Sequence, residues 1–284
     1  ACPMCPYPET VAREPYEAMA DDLWQKIALE VAAEPGFALL VPTSKNEPLL
    51  DRRLEERIAF FRQHAQPHQM VEVCTNGSLL DAERLKRLAA AGVDLVTISV
   101  NAADPETYAA TSGGLSFQRL TANLASYDDE VKDRVNLFVR FVRTRKNAGQ
   151  ERAFRRRWRA AGFNVFAFEA NNRSGAVKEY ESLLAPPSLV HRGRQGLRRW
   201  LSRSIFPVCP YAFSSANILQ NGDMVLCAND WANREVLGNV RQQSIREIFN
   251  GPRIQAIREL MRQNRYAEIG PCQNCSLWLQ SNWL

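Results

Sequence analysis

The stretch MVEVCTNGSLLDAERLKRLAAAGVDLVTISV, residues 70–100, reads as strand, helix, strand. Met70–Cys74 is short and apolar, Ser78 to about Ala91 carries apolar residues at helical spacing, and Asp94–Val100 is a second β-branched run. A helix between two strands excludes a hairpin, so the strands lie parallel with a right-handed crossover. The same alternation continues outward. Toward the N-terminus lie a strand at Phe37–Val41, a helix from about Leu50 to Gln63 and an earlier helix from about Tyr16 to Ala33. Toward the C-terminus Asp104-Pro105 opens a helix with a cap residue and Pro at the first helical position. Strands follow at Val135–Val142 and Phe163–Phe168. The fold class is therefore α/β with a parallel sheet, either doubly wound or curled into a barrel, and reactive residues belong at the carboxyl ends of the strands. A series that opens on a loop and a helix reads as one whose first strand is missing.

After this region the pattern changes. Residues from about Asn171 to Phe206 form a polar, Arg-rich connection containing Ala185-Pro-Pro187. Asn217–Leu226 is a hairpin signal, two apolar runs joined by Asn221-Gly222-Asp223. A helix from about Ser244 to Asn264 follows. The expected division is 1–175 for the parallel domain, 176–206 for a linker and 207–284 for a smaller module. With 45% hydrophobic and 24% charged residues the 284-residue chain is neither collagenous, coiled-coil nor disordered. It has no apolar run of spanning length and no leader pattern, which points to a cytoplasmic protein without a membrane partner. Net charge is +5, and the basic excess is mostly Arg between Arg134 and Arg159 and between Arg192 and Arg203. Without an aromatic platform it reads as solvated helix faces rather than a nucleic-acid surface.

Seven cysteines, at 2, 5, 74, 209, 227, 272 and 275, are an odd and uneven set. Two CxxC pairs in such a chain point to metal binding rather than a disulfide scaffold. Cys209, Cys227, Cys272 and Cys275 can surround one tetrahedral ion or one cubane cluster, and spacing alone leaves zinc and iron–sulfur level. Cys74, inside an apolar strand, is expected to be a small core residue. The histidines at 64, 68 and 191 need no special role.

Cys2-Pro-Met-Cys5 resembles the last two cysteines of the CxxxCxxC loop of radical S-adenosylmethionine (SAM) enzymes. Further motifs fall in that family's order. Asn46-Glu47-Pro48 resembles its Gly-Gly-Glu-Pro stretch, Thr75-Asn76-Gly77 its Thr-Asn-Gly turn, and Ile98-Ser99-Val100-Asn101 its ribose-contacting strand end. Arg140 stands where members place a side chain for the SAM carboxylate, and Asn172-Arg173-Ser174-Gly175 resembles an Asn-Arg-Ala-Gly stretch. Cys209-x12-Gly222-x4-Cys227 with Cys272-x-x-Cys275, together with Gly238-Asn239-Val240 and Ile245–Phe249, resembles the SPASM/Twitch auxiliary-cluster module. The resemblance runs from Cys2 to Cys275.

The resemblance implies a partial (β/α)6 TIM-like barrel, its first strand missing, followed by a small Twitch-type iron–sulfur module. It implies two [4Fe–4S] clusters in the full-length enzyme and SAM as cofactors. Cys2 and Cys5 would hold the SAM cluster, and Asn46, Glu47, Pro48, Thr75, Asn76, Ser99, Asn101 and Arg140 would contact SAM. Cys209, Cys227, Cys272 and Cys275 would hold the auxiliary cluster. Three departures stand out. The loop's first cysteine would precede Ala1, so the chain reads as truncated, with two of three ligands for the SAM cluster. Lys45-Asn46 replaces the glycine pair, and the extra cysteines of a full SPASM module are missing, which makes this the single-cluster Twitch type. The implied activity is a radical SAM oxidoreductase that makes a 5′-deoxyadenosyl radical, abstracts a substrate hydrogen and passes an electron to the auxiliary cluster. The substrate class implied is a small hydroxylated, aminocyclitol-like molecule, with Glu169 and Asp230 as candidate bases. A peptide maturase and a zinc-stabilised non-catalytic binding protein are the alternatives. A flavodoxin or ferredoxin is the implied electron donor.

Overall fold

The computed structural model describes residues 2–8, 18–185 and 208–277. The expected helix start at Tyr16, the cluster from Arg192 to Arg203, His191 and most of the 176–206 connection lie outside them. The chain divides into two compact units, one of Ala1–Pro3 and Ala20–Phe168, the other of Met4–Met19 and Glu169–Leu284.

In the first unit five strands are laid down in chain order: β1 (Leu39–Leu40), β2 (Met70–Thr75), β3 (Leu95–Ser99), β4 (Asn136–Arg143) and β5 (Asn164–Glu169). The registers of β1 with β2, β2 with β3 and β3 with β4 are parallel. A doubly wound sheet would reverse its strand order at a switch point. Consecutive order throughout decides the matter for a curled, open barrel. Before the first strand runs α1 (Asp21–Ala33), and between the strands run α2 (Leu54–His64), α3 (Ala82–Ala91), α4 (Pro105–Thr111), α5 (Phe117–Ala125), α6 (Asp129–Arg134) and α7 (Glu151–Ala160). Successive helices touch, α1 against α2 and α2 against α3.

The period-two alternation of the strands sorts their side chains. Val71, Val73, Val96, Ile98, Leu137, Val139 and Phe141 are buried. Each contributes roughly 1.5–3 kcal/mol by leaving water. Glu72, Cys74, Ser99, Phe138, Arg140 and Phe168 take the alternate positions and are only half-buried. Those residues line the open inner face of the barrel. Cys74 is thus not in the buried core, because Val73 and Thr75 occupy the buried positions on either side of it.

Helix boundaries follow their caps. The α3 helix starts at Ala82 rather than Ser78 because the Asp81 side chain accepts from the Arg84 N–H, and it ends on Gly92 at φ 99°. The α2 helix starts at Leu54 rather than Leu50, since residues Pro48–Leu50 form a separate 3-10 turn capped by Glu47. Only Leu39–Leu40 of the expected first strand joins the ladder.

In the second unit α8 (Tyr180–Leu183) and α9 (Tyr211–Ser214) precede an antiparallel sheet. Its strands β6 (Asn217–Ile218), β7 (Asp223–Val225) and β8 (Val236–Asn239) lie in the order β6-β7-β8. The expected hairpin is present, and β8 adds a strand to it. The single helix expected over Ser244–Asn264 is two, α10 (Ile245–Asn250) and α11 (Pro252–Arg262). Gly251 is extended and Pro252 has no N–H to continue the helical ladder, so the chain breaks there and restarts. A Cβ on Gly251 would also meet the Glu247 carbonyl oxygen at 2.9 Å. No helix among the described residues is long and apolar enough to cross a membrane.

Gly77, after β2, sits at φ +76°, and a Cβ there would lie 2.5 Å from Leu120 Cδ1 and 2.8 Å from Ile98 Cγ2. Gly77→Ala should therefore cost about 3 kcal/mol, from overpacking added to a left-handed backbone. Gly114→Ala, at φ +87° with open space around it, should cost only about 1 kcal/mol. Denaturant melts of both variants test this, and equal losses would remove the packing argument.

Candidate functional site

The carboxyl ends of the first unit's strands carry most of the residues singled out in the sequence. Glu47 is the hub. Its Oε1 accepts from the Thr75 hydroxyl at 2.6 Å and the Leu49 N–H at 3.2 Å, and its Oε2 accepts from the Asn76 N–H at 2.8 Å. Burial pushes its carboxyl above the ordinary value, against the pull of those donors. The Thr75 hydroxyl accepts from the Gly77 N–H and the Asn76 side chain from the Ser78 N–H, which closes the turn. Pro48 begins the 3-10 turn, and the Asn46 carbonyl accepts from the Thr43 hydroxyl. One carboxylate thus ties the loop after β1 to the end of β2.

At the ends of β3 and β4, Arg140 donates through Nη2 to Ser99 Oγ at 2.6 Å, and its guanidinium lies 5.8 Å from the Phe168 ring centre. Arg140 Nε is buried with no hydrogen-bond partner among the described residues. Asn101, at φ 59°, accepts from the Val142 N–H with its side chain and from Asn147 with its carbonyl, so it buttresses the strand ends. Sequence reasoning missed Glu72 and Thr97. The Glu72 carboxylate accepts from the Thr97 hydroxyl at 2.6 Å and from the Cys74 thiol at 3.4 Å. Burial, then the Glu72 charge, pushes Cys74 up to about 12. Period-two alternation was the signal that places Glu72 on the face of Cys74.

The Cys2 thiol donates to the Thr111 carbonyl at 2.8 Å. Burial raises the Cys5 thiol, with the Tyr7 N–H and the Arg173 charge opposing. Glu169 ends β5 and is half-buried. Asp230 is elsewhere and different. Its side chain is fully buried, Oδ2 accepts from the Glu235 N–H at 2.9 Å, and Arg234 Nε lies 3.7 Å from Oδ1.

In the second unit Cys209, Cys227, Cys272 and Cys275 line one cavity. It encloses about 370 Å³, part of it open to solvent, and is walled by Ala212, Leu226, Met261 and Pro271 among others. Cys209 and Cys227 flank the β6–β7 hairpin, whereas Cys272 and Cys275 enter by a 3-10 turn after α11. Asn172 fastens that last turn: its N–H donates to Ser276 Oγ, its Nδ2 donates to the Asn274 carbonyl at 2.5 Å, and its Oδ1 accepts from the Ser276 N–H. Burial, with the neighbouring thiols adding to it, raises Cys209 to about 11, Cys227 to about 12 and Cys272 further. Among the described residues no three Cys, His, Asp or Glu side chains close on a point that could hold one ion. Four thiols lining one cavity are a donor set that either a tetrahedral ion or a multi-iron cluster could use.

Residues 1–144 match the radical SAM superfamily model, and residues 209–276 match the SPASM model, described as an iron-sulfur cluster-binding domain. The chain belongs to the radical SAM superfamily. It is a radical SAM enzyme, with SAM and [4Fe–4S] clusters as its cofactors. Among curated proteins it is similar to GTP 3′,8-cyclase of Synechococcus sp. (strain CC9902), 38% identical over 111 residues. That match covers 38% of this chain and 31% of the cyclase, so the chain spans about a third of its curated relative. Its fold is that of three solved structures. BtrN in complex with AdoMet and 2-DOIA has a TM-score of 0.64 at 16% identity, over 96% of this chain and 86% of that one. AnSMEcpe with bound AdoMet scores 0.67 at 15% identity, over 96% and 84%. SuiB of Streptococcus suis bound to precursor peptide SuiA scores 0.69 at 13% identity, over 98% and 67%.

Protons held on the cavity thiols set a pH dependence for the metal-free protein. The folded values, about 11 for Cys209 and about 12 for Cys227, exceed the ordinary thiol value. The folded state then binds more protons than the unfolded state above about pH 8.5, so stability is complete below that pH and is lost as pH rises toward the folded values. The melting temperature of metal-free protein should fall between pH 8 and pH 10. A Cys209→Ser/Cys227→Ser variant should flatten that fall, and an equal fall in both proteins would contradict the account.

Proposed function

We propose that this enzyme is an oxidoreductase that removes hydrogen from a small hydroxylated, aminocyclitol-like substrate and disposes of the electron through an auxiliary [4Fe–4S] cluster. The observation that carries this reading is the set of four protein thiols around one cavity. A cluster with every iron thiolate-ligated has no open position for substrate, and electron acceptance is the role left to it. When bound, SAM with its own cluster supplies a hydrogen-abstracting 5′-deoxyadenosyl radical, and the auxiliary cluster supplies an electron sink.

The protein's own residues then have three tasks. Arg140 offers an unpaired guanidinium N–H beside Ser99, suited to a carboxylate such as that of SAM. Glu47, Thr75 and Asn76 hold the neighbouring loop in one conformation, so the inner face is organised before ligand arrives. Oxidising a carbinol releases one hydrogen atom, one proton and one electron, and the proton needs a base. Glu169, half-buried at the end of β5, is better placed for that than Asp230, whose fully buried carboxylate is committed to the Glu235 N–H and to Arg234. The net charge of +5 would suit an acidic flavodoxin or ferredoxin as electron donor, in a reducing compartment such as the cytoplasm. Peptide modification is the second reading, favoured by the likeness to a structure that holds a precursor peptide.

Anaerobic reconstitution of the full-length protein should give about eight irons per chain, and low-potential reductant should cleave SAM to 5′-deoxyadenosine. Oxidation of an aminocyclitol supports the proposal. Turnover of peptides alone selects the second reading, and zinc in place of iron with no 5′-deoxyadenosine removes both. Arg140→Met should weaken SAM binding about 10- to 100-fold by calorimetry, the loss of a charge-assisted contact. Glu169→Gln should lower substrate oxidation about 10²- to 10⁴-fold while uncoupled SAM cleavage persists. Unchanged turnover would remove Glu169 from the base role.

A further inference from the structure

The cavity of the four thiols has one polar group in its wall that the fold leaves unmet. Ser174 is 4% exposed and lines the cavity with Cys209, Cys227, Cys272 and Cys275. Its Oγ is buried and has no hydrogen-bond partner among the described residues. Asn229 and Tyr266 of the same wall are engaged. The Asn229 carbonyl oxygen accepts from Arg173 Nη1 at 3.1 Å, and the Tyr266 hydroxyl accepts from the Cys209 N–H at 3.0 Å.

The position of that hydroxyl is over-determined. Arg173, Ser174 and Gly175 run through three consecutive left-handed conformations, φ 48°, 55° and 84°. Non-glycine residues adopt such a run only when their surroundings enforce it. Here the Arg173 N–H is taken by Asn171 Oδ1, and the Asn172 carbonyl accepts from the Gly175 and Val177 N–H groups. The Ser174 carbonyl accepts from Arg234 Nη2 at 2.6 Å, and the Arg173 guanidinium lies 5.9 Å from the Trp231 ring centre. The turn fixes Ser174 at the cavity wall, where a buried hydroxyl without a partner is destabilising. Sulfur atoms bearing negative charge in that cavity are the acceptors that would satisfy it. Ser174 also stands where the resembling Asn-Arg-Ala-Gly stretch has alanine, so the hydroxyl is this chain's own feature.

We infer that Ser174 Oγ donates a hydrogen bond to a sulfur of the auxiliary cluster and so raises its reduction potential. A donor to sulfur favours the more negatively charged, reduced state, which makes the cluster a better acceptor of a single electron in its 2+/1+ couple. Ser174 is thus a positioning residue for electron transfer. The inference rests on the reading of this cavity as a cluster site, and iron content reports on that reading separately.

The test is a dithionite titration of the reconstituted full chain followed by electron paramagnetic resonance, repeated in a Cys2→Ala/Cys5→Ala background that isolates the auxiliary signal. Ser174→Ala and Ser174→Gly both remove the hydroxyl, and glycine suits the left-handed backbone. Each should lower the equilibrium constant for reduction about tenfold, a fall of about 59 mV for one electron. An exchangeable deuteron coupled to the cluster in D2O should be present in wild type and lost in both variants. An unmoved potential in iron-loaded variants overturns the inference, as does a fall in Ser174→Ala that Ser174→Gly does not share, because that would trace to the backbone. Failure of both variants to load iron overturns it as well, by making Ser174 a packing residue. Zinc in wild type would instead remove the cluster reading itself.

Discussion

Four thiols from two distant parts of the chain have to line one cavity, and the second unit is built around that requirement. Burial, with repulsion between neighbouring thiols adding to it, pushes Cys209, Cys227 and Cys272 all upward. The scaffold holds them against that cost by covalent turns and hydrogen bonds. The β6–β7 hairpin fixes the separation of Cys209 from Cys227. The break at Gly251-Pro252 redirects the chain into α11, whose buried Ile257 and Met261 share a core with Ala212, Leu226, Tyr266 and Ile269. Asn172 then clasps the residues around Cys275 with three hydrogen bonds. The apolar wall and the clasp leave the thiols close to the geometry they need before any iron arrives, which lowers the ordering cost of loading it.

The first unit solves a different problem, which is to leave one face of a sheet uncommitted. Buried Val, Ile, Leu and Phe alternate with Glu72, Cys74, Ser99, Phe138 and Arg140. A flat parallel sheet buried on both faces would read as continuous apolar runs. Here many of the alternate positions are polar or aromatic, and several of the polar ones hold each other. Thr97 and Cys74 donate to Glu72, and Arg140 donates to Ser99. That lattice keeps charged side chains on an inner face without leaving them wholly unpaired, and among the described residues it leaves Arg140 Nε buried without a hydrogen-bond partner.

Much of this was legible in the sequence, and the reasons for the remainder are specific. The strand–helix alternation gave five strands, but barrel or doubly wound sheet depends on strand order, which no local pattern encodes. The start at Ala82 is set by the Asp81 cap and the start at Leu54 by the separate 3-10 turn that Glu47 caps over Pro48–Leu50, and a cap is visible only when its acceptor finds an N–H. Cys74 was expected in the core because its strand is apolar overall, whereas a shift of one residue puts it on the inner face. The spacing of the cysteines left zinc and iron–sulfur level, and the match of residues 209–276 to an iron-sulfur cluster-binding domain favours iron–sulfur. Ser174 was visible in the sequence only as part of the Asn172–Gly175 motif, and its burial at the cavity wall shows only in the fold.

The geometry of a parallel sheet explains why residues scattered from Glu47 to Arg140 gather at one edge of the first unit. All strands run the same way, so every strand-end loop emerges on the same edge. Glu47 follows β1, Thr75 and Asn76 end β2, Ser99 and Asn101 end β3, Arg140 pairs with Ser99 across the β3–β4 register, and Glu169 ends β5. Asp230 belongs to the Cys227–Glu235 turn of another sheet, and its buried carboxylate receives the Glu235 backbone N–H. The two candidate carboxylates therefore answer to different constraints. Glu169 is positioned by the end of a strand, and Asp230 by the hydrogen bond that holds its turn in shape. A base must exchange its proton with the reacting group and then with solvent, and a carboxylate sealed inside a turn is poorly suited to both steps. The two carboxylates thus differ in access, Asp230 sealed within its turn and Glu169 half-buried at a strand end.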